Sequence, residues 1–243
     1  MPNHVTHRVV VTGPAEAVAQ FRNTFIVTTQ DQDEDGVHRE FTRLDFEVLV
    51  PMPEVIRNTE SGSTVSDGLL ILGRRDIRDD FGLARTWQEQ LDLYLSYPWV
   101  KDAGVTDFEG LKSLLLARSP DCLEKAKHAI EAYDTYGHTS WYSWSLANWG
   151  TKWNSYDFEM VSEEDGQLEF LFNTAWSSPE PIFAALAERP ETHGLTITIH
   201  AFDEGWNFAF VASIRNGHYL GEYVEASEAL YQHVYARPAP AED

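Results

Sequence analysis

The 243-residue chain has one cysteine, Cys122. That excludes an intramolecular disulfide framework, and with it thiolate-held iron–sulfur clusters and structural zinc sites, which need three or four cysteines. Positive charge is scarce as well: 18 lysines and arginines stand against 39 aspartates and glutamates, a formal net charge of −21. A surface of that sign repels phosphate backbones, so no direct nucleic-acid binding is expected. No apolar run approaches the roughly 18 residues of a membrane span, and the polar opening Met1–Arg8 does not read as a secretory signal. The expected location is cytoplasmic, with no membrane partner. Also missing are His-Glu-x-x-His, Gly-x-Gly-x-x-Gly, Gly-x-Ser-x-Gly and a Gly-Lys-Ser/Thr phosphate loop. No metal, no cofactor and no catalytic residue is expected, and binding is the expected mode of action.

What is present is an ordinary globular composition, 43% hydrophobic and 23% charged, enough to build a sizeable core. The acidity is uneven. Residues 151–243 hold 16 acids and 4 bases, whereas 101–150 hold 7 and 5, so electrostatic function is expected towards the C-terminal end. Arg8-Val9-Val10-Val11-Thr12 followed by Gly13-Pro14 reads as a strand and turn. Ala17, Val18, Phe21 and Phe25 put an apolar face on a helix over 14–25. Residues 28–40, with Asp31, Asp33, Glu34, Asp35 and Gly36, read as a solvated loop. Leu44, Phe46, Val48 and Val50 alternate and predict a strand ending at Pro51-Met52-Pro53.

From 54 to 134 the period becomes helical, with a stripe of Trp87, Leu91, Tyr94 and Leu95. Ser119-Pro120-Asp121 is expected to cap a helix carrying Leu123, Ala126, Ala129, Ile130 and Tyr133. Strand patterns resume after 155. Tyr156–Val161 and Leu168–Phe172 form a hairpin through 162–166, Pro179 and Pro181 open a helix, and Leu195–Phe202, Trp206–Ser213 and Gly217–Val224 form a meander. A helix over 226–235 and a disordered tail, Pro238–Asp243, close the chain. The expected fold is α+β: one domain over 1–243 with an antiparallel sheet, helices on one face, a helical insertion at 54–134 and a sheet-forming part at 135–235.

Tryptophan is concentrated between Tyr136 and Trp153, where Trp141, Trp144, Trp149 and Trp153 are four of the eight. Asn148-Trp149-Gly150 predicts a helix end with glycine in the left-handed position. Such rings either pack the insertion against the sheet or wall a groove in which Lys152 and Asn154 anchor a ligand and Trp149 or Trp176 stacks on it. Ser177 and Ser178 are expected to cap the helix that follows. Glu163, Glu164, Asp165, Asp203 and Glu204 are expected to form an acidic surface for a basic partner, unless their charge only solubilises the chain. His4-Val5-Thr6 and His138-Thr139-Ser140 each repeat the His-x-Thr/Ser pattern of two-histidine phosphoesterases, a short pattern that nine histidines produce by chance. Cys122 near a helix start reads as an ordinary packed thiol.

Tyr136-Gly137-His138, Trp141-Tyr142-Ser143-Trp144, Asn148-Trp149-Gly150-Thr151-Lys152-Trp153-Asn154 with Tyr156-Asp157, and Thr174-Ala175-Trp176-Ser177 carry a resemblance. Together with Met1-Pro2-Asn3 and Val50-Pro51-Met52-Pro53-Glu54, they make the chain resemble the YubB/Api-like proteins of phages and plasmids. The resemblance implies a ferredoxin-like C-terminal half, a βαββαβ topology rather than an iron–sulfur protein. It carries no activity and no catalytic residues onto these positions. The expected function is that of a non-enzymatic accessory protein of a mobile genetic element that binds a host or phage protein, as an acidic inhibitor or nucleic-acid mimic directed at host defence. The alternative is a small-ligand site or an unrecognised enzyme in the tryptophan-lined groove.

Overall fold

A computed structural model describes residues 3–32, 37–74 and 86–240. In chain order the elements begin with β1 (His4–Thr12), α1 (Ala15–Phe25), β2 (Ile26–Gln32), β3 (His38–Leu44) and α2 (Phe46–Leu49). Seven helices follow: α3 (Glu54–Arg57), α4 (Ser63–Leu72), α5 (Trp87–Ser96), α6 (Pro98–Asp102), α7 (Phe108–Arg118), α8 (Cys122–Tyr136) and α9 (Trp141–Asn148). The remainder is β4 (Tyr156–Glu164), β5 (Gln167–Ala175), α10 (Glu180–Ala187), β6 (Thr196–Asp203), β7 (Ala209–Arg215), β8 (His218–Val224) and α11 (Glu228–Tyr235). The chain divides into two compact units, Met1–Pro51 with Ser145–Asp243, and Met52–Trp144.

In the first unit six strands form one antiparallel sheet in the order β4-β5-β1-β6-β7-β8. Elements β1, α1, β4, β5, α10 and β6 reproduce the βαββαβ ferredoxin-like order, and the β7–β8 hairpin widens the sheet beyond β6. The strict alternation of burial along β1 places Val5, His7, Val9 and Val11 on a closed face. There the Phe21 and Phe25 rings of α1 lie 5.2 Å apart, and Phe21 lies 6.4 Å from Phe170 of β5. Phe183 of α10 meets His7 and Phe210 on the same face. Each of these buried rings contributes about 1.5–3 kcal/mol.

The predicted placement of helices on one face describes α1 and α10. Helix α11 covers one end of the other face, because Phe202 and Ala209 point that way and are buried by Tyr231 and Val234. Arg8 fixes the helix there: its guanidinium pairs with Glu169 at 2.6 Å and donates to the Val234 carbonyl at 3.1 Å.

Several local expectations change. Residues 28–40 are not simply a loop, since β2 and β3 form a two-stranded ladder from Ile26↔Leu44 to Gln32↔His38. Threonine on paired positions, with Thr28 and Thr42 joined at 2.9 Å, makes a polar ribbon that lacks the apolar alternation of a half-buried strand. Asp33–Gly36 lie outside the described residues. The strand predicted over 44–50 ends at Leu44. Asp45 accepts from the Glu47 amide at 3.2 Å and starts α2, a local cap that overrides the alternation. Ser119 closes α7 rather than capping α8. Strand β4 runs on to Glu164, leaving Asp165-Gly166 as a two-residue turn with Gly166 at φ 81°. Of the predicted tail, Ala239 packs on the α11 cluster, and residues 241–243 lie outside the described ones.

The second unit is helical, as expected of 54–134. Leu70, Leu91, Tyr94, Val100, Leu111 and Leu115 form its core. Helices α4 and α8 meet where Gly68 faces Cys122, and a Cβ at Gly68 would overlap the Cys122 carbonyl. Cys122 is buried, and burial, followed by the charges of Asp67 and Asp121, pushes its thiol up. No described helix is long and apolar enough to cross a membrane.

His7 is fully buried, stacked on Phe172 at 4.7 Å and 4°, with Nε2 3.1 Å from Ser178 Oγ. Burial drives its pKa from 6.5 down to about 3. The unfolded chain therefore binds a proton that the folded chain refuses, so this contribution is complete above pH 6.5 and is lost as pH falls towards 3. Replacing His7 by leucine should make the fall in urea stability between pH 6.5 and 4.5 shallower by about 1.4 kcal/mol per pH unit; parallel curves for the two proteins would contradict this.

Candidate binding site

At the end of the sheet where β1 begins lies a cavity of about 360 Å3 lined by His4, Thr6, Asp157, Asn173, Glu204, Trp206, Tyr231, Tyr235, Arg237 and Pro240. Four strands or their connecting turns and α11 meet there. His4 and Thr6 project from alternate positions of β1, Asn173 from β5, Asp157 from β4, and Glu204 and Trp206 from the β6–β7 turn.

The floor is polar and tied together. Thr6 donates to Asn173 Oδ1 at 2.8 Å, and Asn173 Nδ2 donates to Asp157 at 3.1 Å. His4 Nδ1 and the Tyr156 hydroxyl share a hydrogen bond of 2.8 Å, and Glu204 Oε1 accepts from the His4 amide at 2.8 Å. Burial and then the charges of Asp157 and Glu204 push the Tyr156 hydroxyl up to about 12, so two carboxylates bear on one phenol.

The walls are aromatic. Trp206 and Tyr231 stack at 5.3 Å and 13°, and Tyr235 lies 4.5 Å from Tyr231. The exposed Arg237 holds its guanidinium over Tyr235 at 5.3 Å and Tyr231 at 6.0 Å, a cation–π arrangement. Among the described residues five non-glycines have positive φ. Asp157 at 51° and Trp206 at 59° line the cavity, and Ala236 at 52° lies between Tyr235 and Arg237. Such backbone costs about 1–3 kcal/mol per residue and persists where surrounding structure holds it. A register shift between Tyr156 and Glu159 adds a bulge beside Asp157.

The residues expected to wall a groove are distributed differently. Trp141 and Trp144 belong to the helical unit, where Trp144 is buried and the Trp141 amide donates to Thr59 Oγ1 at 2.8 Å. Trp149 is core in the sheet unit: its indole donates to the Val50 carbonyl at 2.8 Å, and its ring meets Phe46 edge-on at 6.0 Å. Asn154 is occupied structurally, accepting from the Phe46 amide at 3.0 Å and donating to Asp45 at 2.6 Å. Lys152, Trp153 and Trp176 do come together. The ammonium sits 4.4 Å from one ring and 5.2 Å from the other, and both rings are partly exposed. Ser177 and Ser178 do not cap α10, whose first flanking residue is Pro179. Ser177 donates to the Gly150 carbonyl at 2.6 Å, and Ser178 faces His7.

The acidic residues are also split. Glu163, Glu164 and Asp165 are exposed at the β4–β5 turn, beside Gly13. Asp203 and Glu204 lie at the other end of β1, about 27 Å away at 3.4 Å per residue. Asp203 is buried and accepts from the Asn207 amide and side chain at 3.1 and 2.6 Å. His4-Val5-Thr6 is on a strand and lines the cavity, whereas His138-Thr139-Ser140 precedes α9 in the other unit. Sequence reasoning missed Trp206, Tyr231, Tyr235 and Arg237. The i, i+4 tyrosines of α11 were the available signal.

Residues 148–223 match the ferredoxin-like domain of Api92-like proteins. The matched stretch carries β4 to nearly the end of β8, and so supplies Asp157, Asn173, Glu204 and Trp206 to the cavity. The remaining walls come from β1 and α11, which flank the matched stretch. The crystal structure of Api92 from Yersinia pseudotuberculosis aligns with 93% of this chain and 99% of its own, at 12% identity and a TM-score of 0.40. No curated protein matches the sequence.

Gly150 ends α9 at φ 77°, as expected, and a Cβ there would lie 2.7 Å from Pro181 Cδ. At Gly194, φ is 82° with nothing within 4 Å. Gly150→Ala should therefore lose more stability in urea unfolding than Gly194→Ala, roughly 2–3 against about 1 kcal/mol. Equal losses would show that the Pro181 contact yields freely.

Proposed function

We propose that the protein acts by binding, and that its site is the aromatic-walled cavity between β1, the β6–β7 turn and α11. The observation that carries this reading is the stack of Trp206 on Tyr231 above a hydrogen-bonded polar floor. Apolar walls with a few convergent polar groups are the usual make-up of a small-molecule site. Titration of candidate small molecules, followed by calorimetry and by the Trp206 indole resonance, tests it. A ligand should bind the native protein and lose at least ten-fold in affinity in Trp206→Ala, a variant at an exposed turn with the fold intact. A ligand whose affinity is unchanged by that substitution, and that perturbs resonances elsewhere, would place the site outside this cavity.

A second reading rests on the exposed carboxylates of the sheet edge, Asp157, Glu159, Glu163, Glu164 and Asp165 along β4 and its turn. In the phage or plasmid setting that the resemblance implies, a basic surface of a host or phage protein would dock on this edge, with the carboxylates standing in for a nucleic-acid backbone. Capture of such a partner should weaken steeply with salt and in Glu159→Gln/Glu164→Gln. Capture independent of both would count against it.

A further inference from the structure

Arg237 is the one arginine that lines the cavity, and its position there is informative. Its guanidinium lies over the faces of Tyr235 and Tyr231, it makes no ion pair among the described residues, and it is exposed. The same cavity holds Asp157 and Glu204. Aromatic faces attract cations through the ring quadrupole, by about 0.5–1 kcal/mol at exposed sites and more when dry. Two carboxylates beside three aromatic rings favour a positive guest further, and the sheet unit as a whole has 24 acids and 8 bases, a field that concentrates cations. Phosphates and carboxylates are disfavoured for the same reason.

We infer that the cavity is a site for an organic cation of the guanidinium or alkylammonium class, and that the chain's own Arg237 occupies its aromatic faces until such a ligand displaces it. This rests on the binding reading above and adds the ligand's charge and a self-occupying side chain. Displacement is local, because the described residues after α11, 236–240, form no strand or helix. Glu204 is placed to hold the guest: its carboxylate accepts from the His4 amide, and its charge is felt at the hydroxyls of both Tyr156 and Tyr235. The two tyrosines and Trp206 cover the apolar part of the cation.

The test compares native protein with Arg237→Gln, which keeps much of the side-chain stem without its charge. L-arginine amide, a blocked Gly-Arg-Gly tripeptide, tetramethylammonium, glucose and inorganic phosphate are titrated by calorimetry and by the Trp206 indole resonance. Arginine amide or the tripeptide should bind Arg237→Gln about ten-fold tighter than the native chain, and the ratio of the two separates a free metabolite from a side chain presented on a peptide. Glu204→Gln added to Arg237→Gln should return at least that factor, since the amide still accepts from His4 and only the charge is lost. Equal or weaker binding of the cations to Arg237→Gln overturns the inference. If glucose or phosphate shifts Trp206 in preference to the cations, the cavity remains a binding site but the cation assignment falls; if no probe shifts it, both fall.

Discussion

The pairing of β1 on both sides is the interaction on which the sheet unit depends. His4–Thr12 lies between β5 and β6, bonded to each along nearly its whole length. Without it the β4–β5 hairpin and the β6–β7–β8 meander would be two separate ribbons with unpaired edges, and α1 and α10 would have no continuous surface to cover. The partners are about 160–200 positions apart in sequence, so the central ladder forms against a large closure entropy, although that cost grows only slowly with length. Non-local pairing of this kind slows folding more than it lowers stability. The side chains of β1 repeat the division: Val5, His7, Val9 and Val11 serve the aromatic core, while Thr6 and Arg8 serve the cavity floor and α11.

The cavity follows from this geometry. At the start of β1 the strand ends are staggered, β4 bulges, and the β6–β7 turn rises with Trp206 in a left-handed conformation. Helix α11 lies across only that end, so its tyrosines face the turn instead of a flat sheet. The Arg8–Glu169 pair, partly shielded from water, sets the helix at that distance through Val234. The aromatic walls and the acidic floor therefore belong to different elements that this partly shielded pair helps to hold in register.

Much of the fold was legible in the sequence because its signals are local. The C-terminal meander, the helical stretch and the glycine stop at Gly150 came from alternation, helical period and backbone freedom. The errors share a cause: pattern competes with caps and pairing. Phe46 and Val48 alternate like a strand, yet Asp45 caps a helix there, and the threonines of β2 and β3 pair without an apolar face. The cavity was less legible because its residues are far apart in sequence, from His4 to Pro240. Tryptophan density drew attention to Trp149, which is large and buried, whereas Trp206, isolated in sequence, became the exposed platform. Acidic residues close in number, Asp203 and Glu204, proved opposite in role, one locked in a turn and one in the cavity.

The indole of Trp149 holds the Val50 carbonyl at 2.8 Å, so the chain departs from the sheet unit and re-enters it at neighbouring points. A detour of this kind is modular. Three or four residues, at about 3.3–3.6 Å each, could bridge the two points in place of the whole excursion from Met52 to Trp144. A change in the length of the excursion between Met52 and Trp144 can thus leave the hydrogen-bond ladder and its aromatic core with the same covalent neighbours.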